Sequence, residues 1–202
     1  LSEHFDVISI TFHDSKISSK GAGQEGWRLT PYAYVLLQAR TPEVDKIPTM
    51  QIDLDFLDTG GFVILPIATA PIPIDATSKL GDARPVEKLK IVQIVDEREA
   101  DQGILKVEVK ASSNGLVPEL DQLLKPNTGD FTQAEVTGGE ITISKLDAES
   151  KVGSPISERN WIITYRKSEK NVAESNLTFS FPEPYSLDSL EEILYQRYDD
   201  AD

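Results

Sequence analysis

The stretch Met50–Ile67, MQIDLDFLDTGGFVILPI, decides how the first part of the chain is read. Ile52, Leu54 and Phe56 alternate with Asp53 and Asp55, the period of two with which successive side chains leave a strand on opposite faces. Asp58-Thr59-Gly60-Gly61 supplies turn chemistry, because an Asp side chain bonds back to the backbone and glycine takes positive φ without a Cβ clash. Phe62–Ile67 is then the returning strand. The expectation is a β-hairpin with Ile52, Leu54 and Phe56 facing a core, Asp53 and Asp55 facing water, and a left-handed backbone at Gly60.

The same period recurs on both sides of this hairpin. FDVISITF (5–12) and WRLTPYAYVLLQAR (27–40) read as strands, with the glycine-rich SSKGAGQEG loop between them. TSKLGDARP (77–85) is polar with glycine and proline, which suits a domain boundary. Beyond it, VEKLKIVQIVDE (86–97), ILKVEVKA (104–111), RNWIITYRKS (159–168) and SNLTFSF (175–181) are strand candidates. FTQAEVTGGEITISKLD (131–147) reads as a hairpin turning at Gly138-Gly139. VPELDQLL (117–124) clusters Leu120, Leu123 and Leu124 at helical spacing, enough for one or two turns against a sheet. In the last segment Leu187, Leu190, Leu194 and Tyr198 recur at three and four residues, with Asp188 and Glu191 placed as a capping box, which predicts a helix.

These elements predict an all-β protein of two β-sandwich domains in the immunoglobulin or fibronectin style, followed by a short C-terminal helix. The expected boundaries are 1–76 for a small sandwich or partial barrel, 86–184 for the immunoglobulin-like sandwich and 186–199 for the amphipathic helix. A length of 202 residues accommodates this division.

Composition narrows the function classes. Twenty Lys and Arg stand against 34 Asp and Glu, a formal net charge of -14, and no basic stripe occurs. Phosphate backbones and anionic lipid surfaces are disfavoured partners. Cysteine is absent, so thiolate catalysis, disulfides and cysteine-ligated metals are excluded. His4 and His13, the only histidines, sit in no ligand-spaced pattern. No apolar run reaches the roughly 20 residues that span a bilayer as a helix. The chain begins at Leu1 without a leader-like segment, which leads us to expect a piece of a larger, extracytoplasmic protein.

Three sites deserve weighing. Asp53, Asp55 and Asp58 offer hard oxygen ligands for calcium, and Asp96, Glu97, Glu99 and Asp101 crowd a second turn. Trp27, Tyr32 and Tyr34 lie close together beside a glycine-rich loop, the kind of ring set that carbohydrate-binding modules present as a platform. The triplet Asp58-Thr59-Gly60 resembles the catalytic turn of aspartic proteases, which would imply a dimer sharing a proton between two Asp58 carboxylates. Gly61 stands where that family has Ala or Ser. No phosphate-cradling loop or nucleophile–base pattern is present. The favoured expectation is therefore a non-enzymatic structural or protein-interaction region, without a cofactor other than a possible calcium ion, whose partner is a protein or a neighbouring domain of its own chain.

Overall fold

The computed structural model describes residues 3–12, 20–21, 28–29, 32–77, 86–146, 155–168 and 178–198. In chain order its strands are β1 (Phe5–Phe12), β2 (Lys20–Gly21), β3 (Arg28–Leu29), β4 (Ala33–Ala39), β5 (Lys46–Ile47), β6 (Gln51–Asp58) and β7 (Gly61–Ala68). They continue with β8 (Ile72–Pro73), β9 (Glu87–Asp96), β10 (Ile104–Asn114), β11 (Phe131–Gly138), β12 (Thr142–Leu146), β13 (Pro155–Lys167) and β14 (Leu190–Arg197). One short α-helix, α1 (Leu120–Leu123), lies between β10 and β11, and a single 3-10 turn (Ala100–Gln102) between β9 and β10. The protein is mostly β, and no helix among the described residues is long and apolar enough to cross a membrane.

The chain divides into two compact units. One comprises Leu1–Ile8 and Val35–Ala83, the other Ser9–Tyr34 and Arg84–Asp202. The ribbon of β1 and β4 is cut across by this division.

In the first unit, Arg40 is tied to the N-terminal segment twice. Its N–H donates to the His4 carbonyl (3.0 Å), and its guanidinium pairs with Asp6 at 2.8 Å. β5 pairs with β8, and β6 with β7. Thr69 closes the base of the β6/β7 hairpin: its N–H donates to Met50 O (2.9 Å) while its Oγ1 accepts from Met50 N–H (3.0 Å). The turn forms as expected, but positive φ falls on Gly61 (122°) and not on Gly60. The half-buried strand expected here is not found. All eight residues of β6 are exposed.

The second unit holds the hydrophobic core. Its strands form one six-stranded sheet in the order β11-β13-β10-β9-β14, with β12 also paired to β13. The alternation expected for β9 and β10 holds: Leu89, Ile91 and Val95 lie on the covered face with Leu105, Val107 and Val109, joined by Trp161, Ile163 and Tyr165 of β13. Among the described residues this face is covered by α1, Val117 and a strap running from Thr178 to Leu187, with no second sheet. The strap is laced to the loops beside it. Lys125 N–H donates to Glu183 O (2.7 Å), Tyr185 N–H to Leu123 O (2.9 Å) and Asp130 N–H to Thr178 O (3.1 Å). Phe179 touches Phe131 and Tyr165, and Phe181 links Phe179 to Tyr195. At the centre, fully buried Gln93 donates from Nε2 to Pro182 O (2.8 Å).

Two segments depart from their sequence pattern. The C-terminal segment predicted as a helix forms strand β14, parallel to β9 from Leu190↔Leu89 to Arg197↔Val95. Pairing with β9 satisfies the backbone groups on one side of the strand, and Ile193 and Tyr195 then pack towards the core and strap. Leu194 and Tyr198, members of the helical stripe, are exposed. Tertiary pairing overrides a weak local period.

The second departure lies at Gly138-Gly139. β11 and β12 do not pair with each other; both pair with β13, one after the other along the same edge. Gly138 (φ 82°) and Gly139 (φ 94°) bend the chain between the two alignments, and Gly139 N–H donates to Asn160 O (2.8 Å). A Cβ on Gly139 would run into the Trp161 indole. Gly139→Ala is therefore expected to cost roughly 2 kcal/mol or more, read from urea unfolding of the second unit. Gly60→Ala, with open space around it, should stay within about 0.5 kcal/mol of the parent.

Candidate functional site

The pairing register of the hairpin sorts its side chains by face. Ile52 stands opposite Ile67, Leu54 opposite Leu65 and Phe56 opposite Val63. Because opposed residues share a face, one side of the ribbon is a stack of three wholly apolar rungs. The other side carries Gln51 opposite Ala68, Asp53 opposite Pro66, Asp55 opposite Ile64 and Leu57 opposite Phe62. Every one of these large apolar side chains except Val63 is at least 43% exposed, reaching 78% at Leu57 and 74% at Phe62 near the tip. A two-stranded ribbon has little stability alone in water, and contiguous apolar patches on soluble proteins mark interaction sites. The segment from Gln51 to Ala68 contains three aspartates and no cation.

The same register places the calcium candidates. Asp53 and Asp55 project from the mixed face, whereas Asp58, of opposite parity, lies at the tip on the apolar side. Asp53 Oδ1 accepts from Gln51 Nε2 at 2.7 Å. Asp58 Oδ1 accepts from Thr59 N–H at 2.7 Å and from Thr59 Oγ1 at 3.3 Å. The three carboxylates are not brought together, and no cluster of three His, Cys, Asp or Glu suited to a metal ion occurs among the described residues. Asp58, the residue singled out by the protease-like triplet, is thus engaged in an exposed hairpin turn.

Of the aromatic trio, Tyr32 is 67% exposed and Tyr34 is half-buried on β4, while Trp27 lies outside the described residues. The Tyr32 ring meets Phe12 edge-on, centroids 5.8 Å apart. His13 and most of the GAGQEG loop also lie outside the described residues; His4 is exposed.

The acidic turn after β9 is occupied by ion pairs. Arg98 bonds Asp96 at 2.9 and 2.7 Å, Arg197 bonds both oxygens of Glu97 at 2.7 and 2.6 Å, and Lys106 bonds Glu99 at 2.8 Å. Arg98 also lies over the Tyr198 ring at 4.6 Å. This turn fastens the end of β14 to β9.

Sequence reasoning missed Arg159, a partly buried clamp on the covered side. Its Nε donates to Val117 O (3.0 Å) and its Nη1 to Gly139 O (2.5 Å), while Nη2 pairs with Glu119 at 2.7 Å. Nothing in RNWIITY distinguishes it from a solvent-facing arginine. Beside the clamp, a groove of about 570 Å³ is floored by Trp161, Ile163 and Tyr165 and edged by α1, Pro182 and Tyr185. Burial pushes the Tyr165 phenol up to about 12. A second groove, about 560 Å³, crosses the open face of the sheet among Lys90, Lys110, Glu158, Asn160 and Glu192.

Two outcomes follow from this geometry. The Arg98 hydrogen bond, the largest influence, holds the Asp96 carboxyl down at about 2. A carboxyl depressed in the folded state stabilises above its unfolded value of 3.8 and loses that contribution as pH falls towards 2. Asp96→Asn should therefore flatten the acid limb of the melting curve between about pH 4 and about pH 2, with no change in its shape at neutral pH. The hairpin rungs touch no buried core, so Leu54→Thr with Leu65→Thr should leave the melting of the second unit unchanged while lowering bis-ANS fluorescence of the folded chain.

No family model, no curated protein and no solved structure matches this chain.

Proposed function

We propose that the chain is a non-enzymatic interaction region of a larger, extracytoplasmic protein, and that the β6/β7 hairpin is its docking element. The uncovered stack of Ile52/Ile67, Leu54/Leu65 and Phe56/Val63 carries this reading. Apolar area of this kind gains roughly 25 cal/mol per Å² when removed from water, and within its own unit the chain leaves it uncovered. Charge specifies the partner. Three aspartates without a compensating cation favour a protein surface with an apolar strip rimmed by lysine or arginine. The second unit is the rigid support in this scheme, sandwich-like in that one sheet is faced by α1 and the strap. The extracytoplasmic setting rests on the run of β-structure and the acidic composition.

The exposed Tyr32 ring with its Phe12 neighbour favours a second reading, a carbohydrate-binding module using Trp27, Tyr32 and Tyr34. It would show as a Trp fluorescence change on titration with oligosaccharides that Tyr32→Ala removes.

A photo-crosslinking amino acid at position 56, introduced in the cells that make the protein, tests the docking reading. The expected result is one discrete adduct whose partner surface is apolar with a basic rim. The same probe at Thr164, on the open face of the second unit, should give none. Equal labelling from both positions, or no adduct from position 56, would overturn the proposal.

A further inference from the structure

The β6/β7 hairpin is a sheet of two strands, and among the described residues no third strand pairs with it. Thr69 N–H donates to Met50 O at 2.9 Å, which makes Met50/Thr69 a hydrogen-bonded rung. Bonded and unbonded pairs alternate along an antiparallel ribbon, so Ile52/Ile67, Leu54/Leu65 and Phe56/Val63 are the pairs that bond across it. The N–H and C=O groups of the residues between them aim outwards. Along β6 these residues are Gln51, Asp53, Asp55 and Leu57; along β7 they are Phe62, Ile64, Pro66 and Ala68. The two edges are not equal. Pro66 has no N–H, so the outer edge of β7 lacks a donor, the usual way in which proline blunts an edge strand. β6 has no proline, and all of its residues are exposed.

On the reading of this hairpin as the docking element, we infer that the partner enters as a strand added to the β6 edge, and that this strand alternates apolar and basic residues. Residues opposed across the new pairing share a face. Those set against Ile52, Leu54 and Phe56 lengthen the three apolar rungs, and those set against Asp53 and Asp55 meet carboxylates. Among the described residues Asp55 has no hydrogen-bond or ion-pair partner, and Asp53 has only Gln51 Nε2, at 2.7 Å. Lys or Arg at those two places supplies the countercharge, which gives the order apolar, basic, apolar, basic, apolar. The order is the same from either end, so it holds for parallel and antiparallel addition. A second copy of the hairpin does not fit, because the segment from Gln51 to Ala68 contains no cation to meet the aspartates. A two-stranded ribbon is marginal in water, and a third strand with a shared apolar face gives such a sheet stability. In strand addition the main-chain bonds supply affinity and the alternate side chains supply specificity.

The probe is a fluorescein-labelled synthetic peptide with the core order Ile-Lys-Val-Lys-Ile, titrated with the full chain and read by anisotropy. The parent chain should bind it saturably, and a peptide of the same composition with its two lysines adjacent should bind about tenfold less. Asp53→Lys with Asp55→Lys should weaken binding of the alternating peptide by about tenfold or more. A peptide with glutamate in place of both lysines should bind that variant and not the parent. Leu57→Pro takes one outward N–H from the β6 edge and no bond from the hairpin, and should weaken binding more than Leu57→Ala, which keeps that donor. Pro66→Ala should leave binding unchanged. The inference is overturned by a flat titration of the parent, by equal binding of the alternating and adjacent-lysine peptides, or by charge reversal without effect. Binding that responds to Pro66→Ala and not to Leu57→Pro overturns it too. The cells' own partner is absent from this titration, so a failure here removes strand addition alone, and the adduct from position 56 still decides the docking reading.

Discussion

Strand β13 is the constraint on which the second unit depends. Eleven of its thirteen residues, from Arg166 to Ile156, are paired with β10 along one side. Along the other they are bonded first to β11 and then to β12. Trp161, Ile163 and Tyr165 lie on its covered face with the core, and Ser157 and Arg159 hold the returning loops. Ser157 Oγ donates to Gly115 O at 2.7 Å and accepts from Val117 N–H at 2.9 Å. Because one strand aligns three others, the bend at Gly138-Gly139 is not a free turn. It must pass over the Trp161 indole while changing register, and only a backbone without Cβ fits there.

The two units answer the hydrophobic effect differently. In the second, alternation puts apolar side chains on a face that the chain itself covers, and the buried Gln93 side chain is tied to the strap through its Nε2. In the first, the same alternation produces the β6/β7 ribbon, whose apolar rungs stay in water. Its aspartates mark a preference among surfaces that could cover those rungs.

Period two located β6, β9, β10 and β13, because strand geometry writes itself directly into the order of side chains. It could not say whether a face is covered: Ile52-Leu54-Phe56 and Leu105-Val107-Val109 carry the same pattern, yet one set is exposed and the other buried. Covering is a property of what packs on the sheet, and here that is a strap some seventy residues further on, whose residues 178–181 were expected as a strand. The C-terminal period misled for a related reason. Leu187 and Leu190 do pack against the core, while Leu194 and Tyr198 keep the spacing without the burial. Arg159 was invisible because its value lies in three backbone and side-chain acceptors that only the fold assembles. The hairpin turn was legible; that its apolar rungs form a surface was not.

The parallel attachment of β14 also sets an order of events. β9 and β14 are about a hundred residues apart in the chain, as the Glu97–Arg197 ion pair shows. Loop closure over that distance comes late in folding. During synthesis β9 therefore emerges, pairs with β10 and waits with its other side bare until the last described segment arrives. For that interval the nascent chain carries a sticky border of its own, and the speed with which β14 follows determines how long it needs protection from its neighbours.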